Sequence, residues 1–94
     1  MPYLVIKHTV KDYASWKAAF DAHAAKRRAA GCKSGNLYRY TASPTEVAIV
    51  FEWDDLEKAR AFTESPDLRD AMVRAGVIGK PEFSFYEESL SFAV

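Results

Sequence analysis

Residues 47–53 read Val47-Ala48-Ile49-Val50-Phe51-Glu52-Trp53. One parity carries Val47, Ile49, Phe51 and Trp53; the other carries Ala48 and Val50. A half-exposed strand alternates apolar with polar positions. This one does not, so it needs cover on two sides. A chain of 94 residues can supply about one helical layer over one sheet. The second face therefore calls for another body, and a second copy of the chain is the simplest.

The remaining pattern predicts three more strands and two helical regions. Tyr3 to Val10 reads as a strand, with Leu4, Ile6, His8 and Val10 on one face and Tyr3, Val5, Lys7 and Thr9 on the other. Asp12 is placed to cap a helix that runs to about Ala30. On it Tyr13, Trp16, Phe20, His23 and Arg27 recur at spacings of three and four, which makes one face. Ala14, Ala18, Ala22, Ala25 and Ala29 form a second, small-residue stripe suited to close approach by a neighbour. Gly31 supplies a left-handed stop. Asn36 to Thr41 is a short strand, and Ala42-Ser43-Pro44-Thr45 a turn into the strand Glu46–Trp53. Asp54 with Glu57 reads as a capping box. Leu56, Ala59 and either Phe62 or Thr63 set the inner face of the helix that follows. Ser65-Pro66 restarts it, Leu68, Ala71, Met72 and Ala75 continue the face, and Gly76 ends it. Glu82 to Glu88 is the last strand. The tail Ser89–Val94 alternates at period two, and its apolar positions Leu90, Phe92 and Val94 suit an arm reaching a partner.

The order β-α-β-β-α-β with right-handed crossovers predicts one α+β domain over residues 1–94. Its expected architecture is a ferredoxin-like βαββαβ sandwich. The first and third strands, being most apolar, belong in the centre. Both helices cover one face and leave apolar side chains on the other, which predicts a homodimer.

Charge removes one class of partner. Lys and Arg number 13, and so do Asp and Glu. Lys26-Arg27-Arg28 is the only basic cluster, so no nucleic-acid partner is expected. Cys32 is the single cysteine, which rules out an intrachain disulfide and suits a reducing compartment. The short apolar run after Met1 has no basic stretch ahead of it, unlike a secretory signal. No run approaches the ~20 residues of a membrane span. The expected location is cytoplasmic, with no membrane partner.

The same element order, with Phe51-Glu52-Trp53-Asp54-Asp55-Leu56-Glu57-Lys58-Ala59-Arg60-Ala61-Phe62 and Ser65-Pro66-Asp67-Leu68-Arg69, resembles the antibiotic biosynthesis monooxygenase-like group of dimeric α+β barrels. The resemblance covers nearly the whole chain. It implies two sheets packed face to face, with a small-molecule pocket between each sheet and its own helices. Group members include cofactor-free oxygenases of phenolic polyketides and haem-degrading enzymes. The latter use an Asn on the first strand and a Trp and a His on the second helix. Here Lys7 and His8 stand on the first strand, and Phe62 and Met72 on the second helix, which argues against haem degradation. The polar and Trp residues of the oxygenases are also missing from that helix.

Three residues are candidates for chemistry. His23 lies on the aromatic stripe and is suited to act as a general base near neutral pH; a helix-edge histidine bonded to backbone is the plainer alternative. His8 shares the parity of Leu4 and Ile6. It joins His23 if that parity faces the helices, and belongs to a subunit interface if it does not. Arg39 is suited to hold an enolate or carboxylate, or to pair with Glu46 or Glu52 on the next strand. Trp16, Phe20, Phe51, Trp53, Phe62, Met72 and Tyr86 are candidate walls for a flat aromatic ligand, although such stripes also build plain core. Two histidines without a nearby carboxylate or thiolate make a poor metal site, and no phosphate loop, CxxC or hydrolase triad is present. No metal or cofactor is therefore expected. The resulting expectation is a small-molecule-binding barrel protein and candidate cofactor-independent monooxygenase of an aromatic or polyketide-like substrate. The alternatives are a non-catalytic binding module and an isomerase or cyclase on a similar ligand.

Overall fold

The computed structural model describes all residues, Met1–Val94. It comprises β1 (Pro2–Val10), α1 (Tyr13–Ala22), α2 (Ala24–Ala30), β2 (Cys32–Tyr40), β3 (Ser43–Trp53), α3 (Leu56–Glu64), α4 (Pro66–Ala75) and β4 (Val77–Glu87). The strands form one antiparallel sheet in the order β2-β3-β1-β4. The two most apolar strands are central, as expected, and the fold is the ferredoxin-like α+β arrangement.

Strand pairing fixes which side chains share a face. Leu4, Ile6 and His8 stand opposite Phe51, Ile49 and Val47. With Val10 and Trp53 they are buried beneath Trp16, Ala59, Phe62 and Leu68. This is the core, and it lies entirely on the helical side of the sheet. Trp53 and Leu4 are fully buried; each such side chain contributes roughly 1.5–3 kcal/mol.

The open face is more mixed than the strand pattern suggested. Val5, Ala48 and Val50 form its half-buried centre. Around them stand Lys7, Glu46, Glu52, Asn36 and Glu82, with Tyr38 and Tyr86 more than half exposed.

Several local expectations change for physical reasons. The first helical region is not continuous, because it tightens at His23, whose N–H is shared between the Ala19 and Phe20 carbonyls at 3.1 and 3.3 Å. Arg27 Nη1 donates to the Phe20 carbonyl at 2.8 Å, and a side chain bonded into the helical ladder is a common cause of such breaks. The alanine stripe 14, 18, 22, 25 and 29 faces solvent and packs against no neighbour. The second region is capped by Asp55, which accepts from Lys58 N–H at 2.8 Å. Asp54 instead pairs with Lys58 and Lys33. Asp12 and Ser65 cap as expected, and Gly31 and Gly76 end α2 and α4 with φ of 119° and 86°.

The hairpin loop is Thr41-Ala42, so Pro44 lies inside β3. The stretch Val77–Pro81 belongs to β4, whose register against β1 shifts between Lys7 and Thr9. Gly79, with φ of 72°, accommodates that bulge. Residues 89–94 adopt no regular structure, and Leu90, Phe92 and Val94 are exposed. No helix is long and apolar enough to cross a membrane.

Candidate functional site

The helical stripe and the buried strand faces leave a space between them. Trp16, Ala19, Phe20 and His23 recur along α1 and its end, and Arg27 continues the stripe on α2. Leu68, Ala71, Met72 and Ala75 face them from α4, and Phe62 from α3. Ile6, His8, Ile49 and Phe51 form the floor. The cavity, open on one side, has a volume of about 50 Å³. Ala19, Ala71 and Ala75 make this room, because their side chains stop at Cβ.

His8 is the polar group of the floor. It is 9% exposed, and neither ring nitrogen has a hydrogen-bond partner. Its ring meets Trp16 edge-on, with centroids 5.5 Å apart. Burial lowers its pKa from 6.5 to about 4, because desolvation disfavours the imidazolium. His8 is therefore neutral at physiological pH, with one lone pair and one N–H unspent. Its strand parity faces the helices, which resolves the alternative left open by the sequence.

His23 occupies the rim under different conditions. Its Nε2 lies 3.1 Å from Asp67 Oδ2, and Lys26 Nζ donates to Asp67 Oδ1 at 2.9 Å. These hydrogen bonds, Lys26 first, hold the Asp67 carboxyl below the usual carboxylate range. The pairing fastens the α1–α2 break to the start of α4.

Arg27 adds a cation to the rim. Its guanidinium lies over the Phe20 ring at 3.9 Å and 5.7 Å from the Phe51 centroid. It forms no ion pair. Burial pushes its pKa below the ordinary value, while the group stays charged. Aromatic stacking continues from Phe20 to Trp16 at 5.0 Å and to Tyr13 beyond.

The cavity thus brings together His8, His23, Trp16, Phe20, Phe51, Phe62 and Met72 among the expected residues. Arg39, Trp53 and Tyr86 lie outside it. Arg39 is exposed, stacks on Tyr13 at 3.8 Å and donates to the Pro44 carbonyl at 3.1 Å. It pairs with neither Glu46 nor Glu52, because the hairpin turn brings a closer backbone acceptor within reach. Trp53 is packed behind Phe62, 5.0 Å from its ring, with its Nε1 unpaired. Tyr86 pairs with Tyr3 across the strands and so stands on the open face.

Sequence reasoning does not mark Arg27 or Asp67 as site residues. Arg27 has a signal, since it extends the aromatic stripe by one further helical step. Asp67 has none: it meets His23 across 44 positions of chain, only once α4 packs on α1. Cys32 is a half-buried free thiol whose pKa is raised by burial. No three His, Cys, Asp or Glu side chains converge in a metal-holding group.

Known proteins agree with this architecture. A proposed antibiotic biosynthesis monooxygenase from Bordetella bronchiseptica superimposes with a TM-score of 0.80, covering 95% of this chain and 97% of that one at 17% identity. SnoaB, a cofactor-independent oxygenase from Streptomyces nogalater, has a TM-score of 0.76, covering 96% and 94% at 17% identity. A proposed family member from Deinococcus radiodurans has a TM-score of 0.69, covering 100% and 98% at 15% identity. At such identities the likeness establishes the fold alone. No curated protein matches the sequence. The family model for antibiotic biosynthesis monooxygenase matches residues 11–74. That segment holds His23, Arg27, Phe51, Phe62 and Met72 and leaves His8 just outside. With more than half of its length matched, the chain belongs to the antibiotic biosynthesis monooxygenase family.

Proposed function

We propose that this protein binds a flat, enolisable aromatic molecule between its helices and its sheet and oxygenates it without a cofactor. The observation that carries the reading is His8, buried against the cavity with both ring nitrogens unpaired. A polar group left in this state costs stability unless a ligand completes it. A phenol or enol O–H, or an acidic C–H, supplies the missing partner.

The neutral imidazole accepts the substrate proton, and the resulting anion raises the affinity of His8 for that proton by charge pairing. The substrate carbanion then reduces dioxygen, forming a carbon–oxygen bond and a hydroperoxide. Loss of water from that hydroperoxide leaves a carbonyl. In sum, a CH2 group and O2 become C=O and H2O, so the substrate provides all the electrons. Trp16 and Phe20 hold the aromatic plane, and the apolar walls keep bulk water from the anion. SnoaB, a cofactor-independent oxygenase of the same fold, supports the reaction class.

The small volume favours a second reading. A space of about 50 Å³ is well below the ~300–1,000 Å³ of small-molecule sites, as a packed, non-catalytic module requires. An oxygen electrode separates the two. Hydroxynaphthalenes and aromatic ketones with an acidic CH2 are the substrates to offer. Oxygenation consumes one O2 per product and leaves one labelled atom from 18O2 in the carbonyl. Ligand binding without oxygen uptake across that set would leave the binding module or the isomerase.

The same proposal includes a homodimer in the cytoplasm, paired through the open face around Val5, Ala48 and Val50, with the tail 89–94 reaching the partner. Sedimentation equilibrium should give twice the 10.6 kDa chain mass. A monomer at micromolar concentration refutes that part.

A further inference from the structure

A second hollow lies beneath α2 and beside β2, with a volume of about 240 Å³. It shares Phe20, Arg27, Ile49 and Phe51 with the cavity above His8. Arg27 stands on the wall common to both. Each space alone is smaller than the roughly 300 Å³ at the lower end of small-molecule sites, so a ligand of that size would reach across the Arg27 wall.

The charge around this hollow is one-sided. Arg27, Arg28 and Lys33 line it, and no Asp or Glu does. The whole chain carries 13 basic and 13 acidic residues, so net composition does not produce this imbalance. Lys33 has a partial partner in Asp54 at 3.7 Å. Arg27 has no carboxylate partner, and its single hydrogen bond goes to the Phe20 carbonyl. A half-buried guanidinium on an aromatic face, with most of its five donors unspent, is suited to receive a planar oxyanion.

The apolar part of the hollow includes Phe20, Leu37, Ile49 and Phe51. Gly35 lets the β2 backbone lie close to the Phe51 ring. A Cβ at Gly35 would come within 2.9 Å of the Val50 carbonyl oxygen and 3.1 Å of Phe51 Cδ1. A larger residue there would displace one or the other.

We propose that the hollow beneath α2 binds the carboxylate or phenolate substituent of an aromatic ligand, held by Arg27, while the ligand's ring reaches over Phe20 and Phe51 toward His8. The ligand class is thus an anionic aromatic. Arg27 is the residue that selects it against neutral analogues. The inference deepens the oxygenase reading by naming the substrate's second feature, but its test requires no turnover.

Calorimetric titration with 2-naphthoate and with 2-naphthamide, near neutral pH and at low salt, tests it. The wild-type protein should bind naphthoate on the order of tenfold more tightly, the worth of a hydrogen bond to a charged group. Arg27→Gln should remove most of that preference and leave naphthamide binding nearly unchanged. Arg27→Lys should retain part of it. Circular dichroism checks that each variant folds. Should Arg27→Gln not fold, the double variant Arg28→Gln, Lys33→Gln alters only exposed side chains and should reduce the preference several-fold. Equal affinities in the wild type, an intact preference in these variants, or binding of neither probe would overturn the proposal. An Arg27-dependent preference without oxygen uptake on any substrate keeps the anion site and removes the oxygenase reading. Oxygen uptake without the preference does the reverse.

Discussion

The floor and the rim of the cavity each present a histidine, and the protein treats the two in opposite ways. His8 rides on β1, a central strand flanked by β3 and β4, stands opposite Val47 of β3, and its ring has no partner. His23 sits at a helix break, and its ring is held by Asp67. A rim histidine bonded to a carboxylate has an ordinary structural task, because it ties two helices together. A floor histidine without partners has no such task, and its burial works against folding. The comparison teaches that proximity to a cavity is a weaker sign of chemistry than an unmet hydrogen-bonding demand on a rigid element.

The sharpest way to break the comparison is to remove the floor group. With an oxygenated substrate in hand, His8→Ala should lower the rate on the order of a hundredfold or more, the usual loss for a general base. Single-turnover kinetics, with ligand affinity measured separately, checks that chemistry and not binding is lost. A rate within threefold of wild type would move the base elsewhere, with His23 the next candidate.

Stability against pH reads the same group without a substrate. The imidazolium of His8 forms at about pH 4 in the fold and near 6.5 in the unfolded chain. Between those values the unfolded chain binds a proton that the folded chain refuses. Stability is therefore full above about pH 6.5, declines as the pH falls toward 4, and loses no more from this group below that. A gap of this width corresponds to roughly 3 kcal/mol. Urea denaturation across the range should show the decline, and His8→Leu should flatten it. The carboxylates of Asp12, Asp54 and Asp67, each held below its ordinary value mainly by a hydrogen bond, lose their contribution only at lower pH. An unchanged slope in His8→Leu would mean that the floor histidine is better solvated than its burial implies.

Filling the space between floor and rim sharpens the contrast further. Ala71→Leu projects a larger side chain into the cavity, at a cost of about 1–3 kcal/mol of overpacking. The thermal unfolding transition should fall by several degrees, and calorimetric binding of 2-naphthamide should be lost. Retained binding would place the ligand outside this space.

The frame of this site is legible in the sequence, and its wiring is not. Strand parity puts Leu4, Ile6 and His8 on one face, and a helical spacing of three and four puts Trp16, Phe20 and His23 on another. Short-range periodicity carries that information, so these positions can be read from the order of residues alone. Which β1 parity faces the helices cannot be read that way, since both are partly apolar. The fold decides it because Val47, Ile49, Phe51 and Trp53 form much the larger apolar set, and pairing forces β1 into the same sense. Tyr86 falls outside the cavity because its parity on β4 sets it beside Tyr3 on the open face. Arg39 has the parity of the helical side, opposite Val47, but it lies at the hairpin end of β2, where it meets Tyr13 and the Pro44 carbonyl and not the cavity. The cap falls on Asp55 and not on Asp54 without any sequence mark: two adjacent aspartates offer the same carboxylate, and the Lys33 and Lys58 ammonium groups draw one of them away.

The smallest expected effect belongs to the rim, and it is the one that most directly separates the two histidines. In Asp67→Asn the amide oxygen can still accept a hydrogen bond, so the contact survives in part while the charge is lost. The carboxylate it replaces is about half exposed, and such pairs are screened by solvent, so the variant should fold and unfold much as the wild type does. If His23 only positions the helix break, Asp67→Asn and His23→Gln should each lower oxygen uptake by less than about tenfold, the lower bound of a general-base loss being greater. Any reduction should appear mainly in KM, because a loosened break changes the cavity wall and not the proton acceptor. Measuring kcat and KM for both variants beside His8→Ala gives the test its discrimination. A fall in kcat for His23→Gln as large as that for His8→Ala, with KM unchanged, would show that the rim histidine takes part in the proton transfer and that its bond to Asp67 orients a catalytic base.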